Sequence, residues 1–286
     1  MEKSLQKLIE LLDLEEIEKN IYRGVGPDEG WQRVYGGQVI GQALVAASRT
    51  VEPDRHAHSL HGYFLRPGDP SVPILYTVDR IRDGRSFATR RVVAIQHGRP
   101  IFNMSISFQV LEEGLSHQTS MPDVPGPENL RTEVDLRTEW ALECGLDNIT
   151  SPDRKMPIEV RPLDEWNPYK PEKTASLNSC WMRAKDTLPE GLSLHQCVLA
   201  YLSDWTLLDS CIRPHGVSIL EENLQVASLD HAMWFHRPFK ADEWLLYVQD
   251  SPSTSGGRGL NCGTIYSRDG ELVASVVQEG LIRLHK

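Results

Sequence analysis

The segments Tyr63-Phe64-Leu65-Arg66-Pro67 and Trp234-Phe235-His236-Arg237-Pro238 decide the fold of this 286-residue chain. They align without a gap at an offset of 171 residues, and the same offset places Leu75-Tyr76 over Leu246-Tyr247. Self-similarity at a fixed separation indicates that one structural unit occurs twice; the alternative is a chance likeness between two aromatic strands that end in proline. Two units also fit the length, since domains typically have about 100–150 residues. The sequence therefore predicts a duplicated domain.

The N-terminal copy has the pattern of a buried helix followed by an antiparallel sheet. The run Gln38–Ala47 carries no charge and is rich in small residues, which is typical of a helix buried on all sides. After it, β-branched and aromatic segments alternate with turn sequences such as Asp83-Gly84 and His97-Gly98. The predicted strands are Ser59–Phe64, Ile74–Ile81, Phe87–Gln96 and Ile101–Val110. A short amphipathic helix over residues 4–12 precedes them, and the predicted fold class is α+β.

The C-terminal copy repeats this plan after a proline-rich connection. Its predicted strands are Ile158–Pro162, Ala175–Ala184, Leu224–Phe235, Trp244–Val248, Leu260–Tyr266 and Leu272–Gln278, with a helix over Ser193–Ile212 after the first two. Residues 113–157 contain five prolines and few apolar clusters, with a helix expected near Leu136–Cys144. We therefore expect an N-terminal domain at 1–115, a linker at 116–157 and a C-terminal domain at 158–286.

The net charge of −10 argues against two classes of partner. Nucleic acids and anionic membrane surfaces both require a net basic face. No stretch reaches the roughly 20 apolar residues that span a bilayer. We therefore expect neither nucleic-acid binding nor stable membrane insertion. A local cluster of arginines could hold a small polyanion or be ordinary solvated charge, and the pattern leaves both interpretations open; its members are Arg82, Arg85, Arg90, Arg91 and Arg99.

The cysteines and the N-terminus bear on metal binding and on the compartment. Five cysteines form an odd number without a C-x-x-C pair, which indicates neither a disulfide framework nor a zinc site. Residues 1–14 carry five charged side chains among their leucines and lack the apolar core of a signal peptide. We therefore expect a cytoplasmic protein without a bound metal.

Common catalytic motifs are missing or out of context. The closest match to the serine-hydrolase elbow is Gly84-Arg85-Ser86-Phe87-Ala88, which leads into a predicted strand where that motif requires a helix. Neither the H-E-x-x-H motif of zinc proteases nor the P-loop signature occurs, and Gly36-Gly37 is too short for a dinucleotide fingerprint. The sequence thus gives no support to serine-hydrolase, zinc-protease or nucleotide-binding chemistry.

Asp204 is the most conspicuous candidate for an acid-base residue. It interrupts an apolar stretch of the predicted helix, and a buried carboxylate costs free energy unless it accepts hydrogen bonds. Pattern alone equally allows Asp204 to lie on an exposed stripe of that helix. Gln278 lies within a β-rich run and could donate from its amide, or simply face solvent. The histidines near the strands, such as His58 and His231, are individually more typical of structural roles.

Four longer strings resemble the bacterial acyl-CoA thioesterase II family. They are Val34-Tyr35-Gly36-Gly37-Gln38-Val39-Ile40-Gly41-Gln42-Ala43-Leu44, His58-Ser59-Leu60-His61-Gly62-Tyr63-Phe64-Leu65-Arg66-Pro67-Gly68, Asp230-His231-Ala232-Met233-Trp234-Phe235-His236-Arg237-Pro238 and Val273-Ala274-Ser275-Val276-Val277-Gln278-Glu279-Gly280. The resemblance covers nearly the whole chain. It implies a tandem double-hotdog fold, in which each half is an antiparallel sheet wrapped around a helix. It also implies hydrolysis of acyl-CoA to fatty acid and CoA without a cofactor.

The resemblance implies three catalytic residues, Asp204, Ser228 and Gln278, which together orient the attacking water. The middle position is commonly threonine in the family, and Ser228 keeps the hydroxyl but loses the methyl group that restrains it. Direct water attack would use Asp204 as general base and a backbone donor near Gly37 for the oxyanion. His58 matches a histidine to which the resemblance gives a supporting part.

Several functional details stay open at this stage. We expect broad specificity for medium- to long-chain acyl groups. The alternatives are an enoyl-CoA hydratase-type hotdog enzyme and a non-catalytic acyl-CoA-binding protein. Hotdog domains commonly associate through sheet edges, so the resemblance implies a homodimer or a homotetramer.

Overall fold

The computed structural model describes residues 2–26, 32–146 and 157–285. Its N-terminal half contains helices α1 (Lys3–Leu12) and α2 (Gly36–Ser48) and strands β1 (Glu15–Glu18), β2 (Ile21–Gly24), β3 (Arg55–Phe64), β4 (Ile74–Asp83), β5 (Phe87–Gln96) and β6 (Arg99–Val110). A 3-10 turn (Pro127–Asn129) and helix α3 (Glu133–Glu143) follow. The predicted helices and strands of this half are confirmed.

The C-terminal half repeats the order of the first. Strands β7 (Ile158–Pro162) and β8 (Asn178–Ala184) precede helices α4 (Leu192–Leu202) and α5 (Asp209–Ile212) and a 3-10 turn (Arg213–His215). Strands β9 (Leu224–Ser228), β10 (Asp230–Phe235), β11 (Leu245–Ser255), β12 (Arg258–Ser267) and β13 (Leu272–Leu284) follow. The predicted α+β class and the predicted duplication therefore agree with the arrangement of elements.

The strands form one antiparallel sheet that runs through both halves. Its order in the described residues is β1-β2-β4-β5-β6-β3-β10-β13-β12-β11-β8-β7, and β9 pairs with the far end of β13. Strands β3 and β10 join the halves, with Leu60 opposite Met233 and Tyr63 opposite Asp230. The repeated segments Tyr63–Pro67 and Trp234–Pro238 therefore begin at the ends of the two strands that meet at this junction.

Helices α2 and α4 pack against each other inside the curve of the sheet. Every residue of α2 from Gly37 to Ala47 is buried, as its uncharged sequence predicts. Gly41 allows close approach, since a Cβ there would lie 3.3 Å from the carbonyl oxygen of Cys197 on α4. The two helices share one hydrophobic core with the inner face of the sheet.

The predicted helix Ser193–Ile212 is wrong over its second half. Helix α4 ends at Leu202, and the chain turns before α5 begins at Asp209. Thr206 has a φ of 70°, a left-handed conformation that is rare for a β-branched residue and that no helix can contain. Its hydroxyl accepts a hydrogen bond from the buried Gln249 at 2.7 Å, a tertiary contact that the local pattern does not reveal. Asp204 consequently lies in this turn and not on a helix.

The predicted continuous strand Leu224–Phe235 is also wrong in one respect. It divides at Leu229, whose N–H donates to the Glu279 carbonyl at 2.9 Å while its own carbonyl accepts from Phe64 N–H at 2.9 Å. Leu229 thus bridges β13 and β3, and the extra residue shifts the register between β9 and β10. The break places Ser228 at the end of β9, beside the start of β10.

The connection between the halves packs on the outer face of the C-terminal sheet. The Trp181 indole donates to Pro125 O at 2.9 Å, and Gln118 bonds to the backbone of Gly270 and Leu272. Residues 147–156 of the predicted linker lie outside the described residues. The domain boundaries at 115 and 158 stay a prediction. Among the residues that are described, no helix is long and apolar enough to cross a membrane.

Candidate functional site

Asp204 lies where the end of α4 meets the beginning of α2. The turn after α4 carries it towards the first residues of α2, and its Oδ2 accepts a hydrogen bond from the backbone N–H of Gly37 at 3.0 Å. The first N–H groups of a helix have no partner within the helix and carry a partial positive charge. The carboxylate is thus held by a helix that comes from the other half of the chain.

The glycine pair at the start of α2 makes this approach possible. A Cβ on Gly36 would lie 2.6 Å from Asp204 Oδ2, and a Cβ on Gly37 would lie 2.2 Å from the Tyr201 carbonyl oxygen. Both distances are far shorter than a carbon–oxygen contact in a packed interior. Close contact between the two helix ends therefore requires glycine at both positions.

Gln278 and Ser228 complete a hydrogen-bonded cluster around Asp204. The Gln278 amide Nε2 donates to Asp204 Oδ1 at 3.0 Å and to Ser228 Oγ at 2.7 Å. The Ser228 hydroxyl donates to the same Oδ1 at 3.4 Å. The three residues that the sequence predicts as a set are brought together from the α4–α5 turn, β9 and β13. Together with the Gly37 N–H they place three donors on one carboxylate.

The environment tunes the acidity of Asp204. Burial raises the pKa of the Asp204 carboxyl to about 6, while the donors on Gln278, Gly37 and Ser228 act in the opposite direction because they stabilise the ionised form. A carboxylate with a pKa near 6 is largely ionised at neutral pH but retains enough basicity to accept a proton. The arrangement is suited to activating a water molecule.

Behind Gln278 lies His231, a residue that the sequence did not single out for the site. It is 1% exposed, and its Nδ1 lies 2.7 Å from Gln278 Oε1 while its Nε2 lies 2.9 Å from Ser203 Oγ. Burial lowers the pKa of His231 to about 4, so the ring is neutral at physiological pH. A neutral imidazole has one donor and one acceptor nitrogen.

The N-terminal copy has apolar side chains at the equivalent positions. The offset of 171 residues places Leu60 over His231 and Ala57 over Ser228. Leu60, Ala57 and His231 are buried, whereas Ser228 is half-buried at the wall of a cavity. The hydroxyl and the imidazole therefore occur in only one copy.

The strand register extends this comparison to Gln278. In the N-terminal copy Leu60 is opposite Ile106, which is 1% exposed. In the C-terminal copy the pairing of Ala232 with Val277 places His231 opposite Gln278, and their side chains are hydrogen-bonded. The same strand pair is therefore apolar in one half and polar in the other. Because the apolar pair builds the fold equally well, the polar pair is explained by the site and not by the architecture.

A cavity of about 300 Å³ opens beside this cluster, and we call it the site cavity. Gly36 and Ser228 line one end of it, and its walls are largely apolar, with Val39, Phe64 and Phe102 among them. A substrate placed here would present its reactive group to Ser228 and, through it, to Asp204. Pockets with apolar walls and a few converging polar groups are typical of small-molecule sites.

Of the two residues predicted to support the site, Gly37 lies beside Asp204 and His58 does not. Gly37 lies in the cluster through its N–H. His58 instead bonds to Ser107 Oγ at 2.8 Å and packs edge-on against Phe87, so the structure does not bring it to Asp204. Among the described residues, no group of three or more His, Cys, Asp or Glu side chains could hold a metal ion.

Comparison with known proteins identifies the family. The family described as acyl-CoA thioesterase matches residues 151–281, and the acyl-CoA thioesterase N-terminal domain matches residues 27–109. Acyl-CoA thioesterase 2 of Haemophilus influenzae is 41% identical over 281 residues, which cover 98% of each chain.

Two solved structures extend the comparison. An acyl-CoA thioesterase II from Mycobacterium marinum is 48% identical, with a TM-score of 0.79 over 96% of this chain and 97% of that one. A hot dog fold protein from Alicyclobacillus acidocaldarius, 18% identical, superposes with a TM-score of 0.78 over 98% of this chain and 99% of that one, a likeness of fold alone. The fold is the double hotdog that the sequence predicted, and the chain belongs to the acyl-CoA thioesterase family.

Proposed function

We propose that the protein hydrolyses acyl-CoA thioesters to a fatty acid and CoA by direct attack of water, with Asp204 as the general base. The observation that supports this most is the convergence of Gln278, Ser228 and the Gly37 N–H on one carboxylate beside an open cavity. A nucleophilic serine would require an adjacent base that accepts its proton and an independent oxyanion site. Here the serine is one of the donors that hold the acid.

The hydrogen bonds leave room for one water molecule. An ionised carboxylate has about four acceptor positions. Oδ1 of Asp204 uses two for Gln278 and Ser228, and Oδ2 uses one for Gly37. The remaining position on Oδ2 can accept a proton from water, and a free lone pair of Ser228 Oγ can accept its second hydrogen. This arrangement would hold the water oxygen towards a thioester carbonyl in the site cavity.

His231 would set the orientation of Gln278. Asp204 as a base requires the amide NH₂ of Gln278 to point towards it, so the amide oxygen must face His231 Nδ1. Nδ1 must then carry the imidazole proton, and Nε2 would accept from the Ser203 hydroxyl, which has the Ala200 carbonyl oxygen at 3.0 Å as its other acceptor. If the Gln278 amide were turned around, its oxygen would face the Asp204 carboxylate and the two acceptors would repel each other. Of the two tautomers of the neutral ring, the one protonated at Nδ1 therefore matches this orientation of the amide.

The oxyanion would be stabilised by the beginning of α2, with one change to the sequence prediction. The Gly37 N–H is already engaged by Asp204 at 3.0 Å, so it supports the base and is not free for the oxyanion. The positive end of the α2 dipole and the N–H groups of its first turn other than those of Gly37 and Val39, which donate to Asp204 and to the Tyr35 carbonyl, would act on the developing charge. Interactions of this kind act mainly in the transition state.

The test is an Asp204→Asn variant in an assay of thiol release from acyl-CoA. We expect a loss of at least about 100-fold in kcat, because a general base typically contributes that much or more. The chain offers a matched control in Asp209→Asn. Burial also raises the pKa of Asp209 to about 6, but the charged residues that act on it, Arg137, Glu133 and Arg213, lie outside the cluster. Near-normal activity in Asp204→Asn, or an equal loss in both variants, would contradict the proposal.

The remaining alternatives are separated by the products. A hydratase would remove the absorbance of a 2-enoyl-CoA without releasing thiol, and a binding protein would release nothing. A series of acyl-CoA substrates of increasing length in the same assay tests the expected preference for medium to long chains. The cytoplasmic location and the homodimer or homotetramer stay predictions.

A further inference from the structure

A second cavity continues from the site cavity along the surface of the N-terminal half. It has a volume of about 320 Å³ and shares part of its wall, including Arg66, with the site cavity. At its far end His97 and Arg99 line it from the turn between β5 and β6. The two cavities share Arg66, Pro67 and Ile101 in their walls and so adjoin each other between Ser228 and this turn; together we call them the basic groove.

Basic side chains line this groove in a protein whose net charge is −10. Arg33 and Arg66 lie along the site cavity, and Arg66 continues into the second cavity with His97 and Arg99. Arg66 is exposed and donates to the Pro100 carbonyl at 2.6 Å, a neutral acceptor that leaves its charge uncompensated. Among the described residues, His97 is the basic side chain of the groove that pairs with a carboxylate, its Nε2 lying 3.3 Å from Asp69 Oδ2.

The equivalent turn of the C-terminal half carries more acidic side chains. His97-Gly98-Arg99 of the first half is replaced there by the longer Arg268-Asp269-Gly270-Glu271. Gly98 and Gly270 both have positive φ angles, of 69° and 87°, and His97 also has a positive φ, of 50°. The basic version is the one that adjoins the cavity of Ser228.

The arginine of the repeated segment also differs in its surroundings. Arg237, the counterpart of Arg66, donates to the Leu272 carbonyl, to Ser116 Oγ and to the His117 carbonyl. The connection between the halves therefore occupies the guanidinium of the C-terminal copy. In the N-terminal copy the equivalent guanidinium is exposed and faces the groove.

We propose that the basic groove binds the phosphate groups of CoA, with Arg66 and Arg99 as the principal contacts. This inference rests on the proposed function, because it places the thioester end of the same molecule at Ser228. Guanidinium groups suit phosphates, since their fixed fork of donors matches two phosphate oxygens. The apolar walls between the two ends would contact the uncharged pantetheine arm.

The test compares an acyl-CoA with the same acyl group on pantetheine, which carries no phosphate. In the Arg66→Gln/Arg99→Gln double variant we expect KM for acyl-CoA to rise roughly tenfold with little change in kcat, as for the loss of charge-assisted bonds at an exposed site. The kinetic constants for acyl-pantetheine should not change. Arg268→Gln is the matched control, because it removes an exposed arginine from the equivalent turn of the other half, and the kinetic constants for both substrates should not change.

Calorimetry of CoA binding provides a readout that does not depend on hydrolysis. The double variant should bind CoA about tenfold more weakly than the unaltered protein, and added salt should reduce the difference. Unchanged CoA affinity and unchanged KM for acyl-CoA, or an equal rise in KM for acyl-pantetheine, would overturn the inference while leaving the proposed function intact. An unaltered protein that hydrolyses neither thioester would overturn the proposed function, and calorimetry would still decide on the groove.

Discussion

The imidazole Nδ1 of His231 lies 2.7 Å from the amide oxygen of Gln278, whose amide NH₂ group bonds to Asp204 and Ser228. A carboxamide alone has no preferred end, since its oxygen and nitrogen are almost equal in size. A proton on Nδ1 of the buried ring would therefore fix which end of the Gln278 amide faces Asp204. The consequence can be tested without changing any residue that touches the carboxylate.

We predict that His231→Leu lowers kcat by roughly 10- to 100-fold with little change in KM, similar to the loss of outer-shell partners that orient metal ligands. The protein should still fold, because leucine occupies the equivalent position, Leu60, of the N-terminal copy. His231→Asn should restore part of the rate, since its amide nitrogen can donate from the position of Nδ1. Steady-state kinetics together with thermal unfolding separate a loss of positioning from a loss of structure.

The pH profile gives a second readout of the same contact. Gln278 holds the pKa of Asp204 down by donating to the ionised form. In His231→Leu this donor is no longer fixed, so the acidic limb of kcat/KM should move to higher pH. A lower rate with an unmoved limb would assign His231 a purely structural role.

We predict that kcat/KM of the unaltered protein falls as pH decreases through about 6, with a slope of one decade per pH unit below it. The reason is that Asp204, with a pKa raised to about 6 by burial, must be ionised to accept a proton from water. An ordinary exposed aspartate would place this limb near pH 4. Titration of His231 should not change kcat/KM above pH 5, because burial lowers its pKa to about 4. A profile that is flat down to pH 4.5 would contradict the assignment.

Ser228 provides a third prediction. Ser228→Ala removes the acceptor of Gln278 and one donor to Asp204, and we expect kcat to fall by about tenfold or more, as for hydrogen bonds to a charged group. Folding should be preserved, since Ala57 holds the equivalent position in the N-terminal half. Ser228→Thr should retain activity, because it keeps the hydroxyl and restrains its rotamer. Equal kcat in the alanine and threonine variants would exclude a role for the hydroxyl.

The glycine pair provides a fourth prediction, which separates stability from catalysis. Gly37→Ala would press a methyl group against a backbone carbonyl of α4, so we expect the free energy of unfolding to fall by about 1–3 kcal/mol. Gly36→Ala would press instead on the Asp204 side chain, which can rotate away at the expense of its hydrogen bonds. In chemical denaturation, Gly37→Ala should therefore lose more stability than Gly36→Ala. In the thiol-release assay, Gly36→Ala should lose more activity than its loss of stability explains. The reverse order would contradict this geometry.

The fold was predictable because its signals are local and occur twice. Turn glycines such as Gly98 and Gly270 mark the hairpins, and the uncharged run of α2 identifies a buried helix. The end of α4 was not predictable, since the turn at Thr206 depends on tertiary contacts with Gln249 and on the approach of α2. The spacing of apolar residues along the sequence does not indicate such tertiary contacts.

The site was predictable only in part. Ser228 and Gln278 came from family resemblance, because a serine or a glutamine in a strand is not unusual by itself. His231 was missed, although a signal existed: at the offset of the repeat it replaces the apolar Leu60 on a buried face. A comparison of the two copies position by position finds polar residues that the architecture does not need.

The pairing of β3 with β10 places both copies in one polypeptide, and this has a consequence for how the molecule can evolve. In a dimer of identical single units every substitution occurs at both sites at once. After fusion each copy can change independently. One half could lose its polar residues and supply the helix end and a basic surface, while the other kept the acid, the hydroxyl and the amide. Division of labour between the halves is possible only because they are no longer encoded by the same codons.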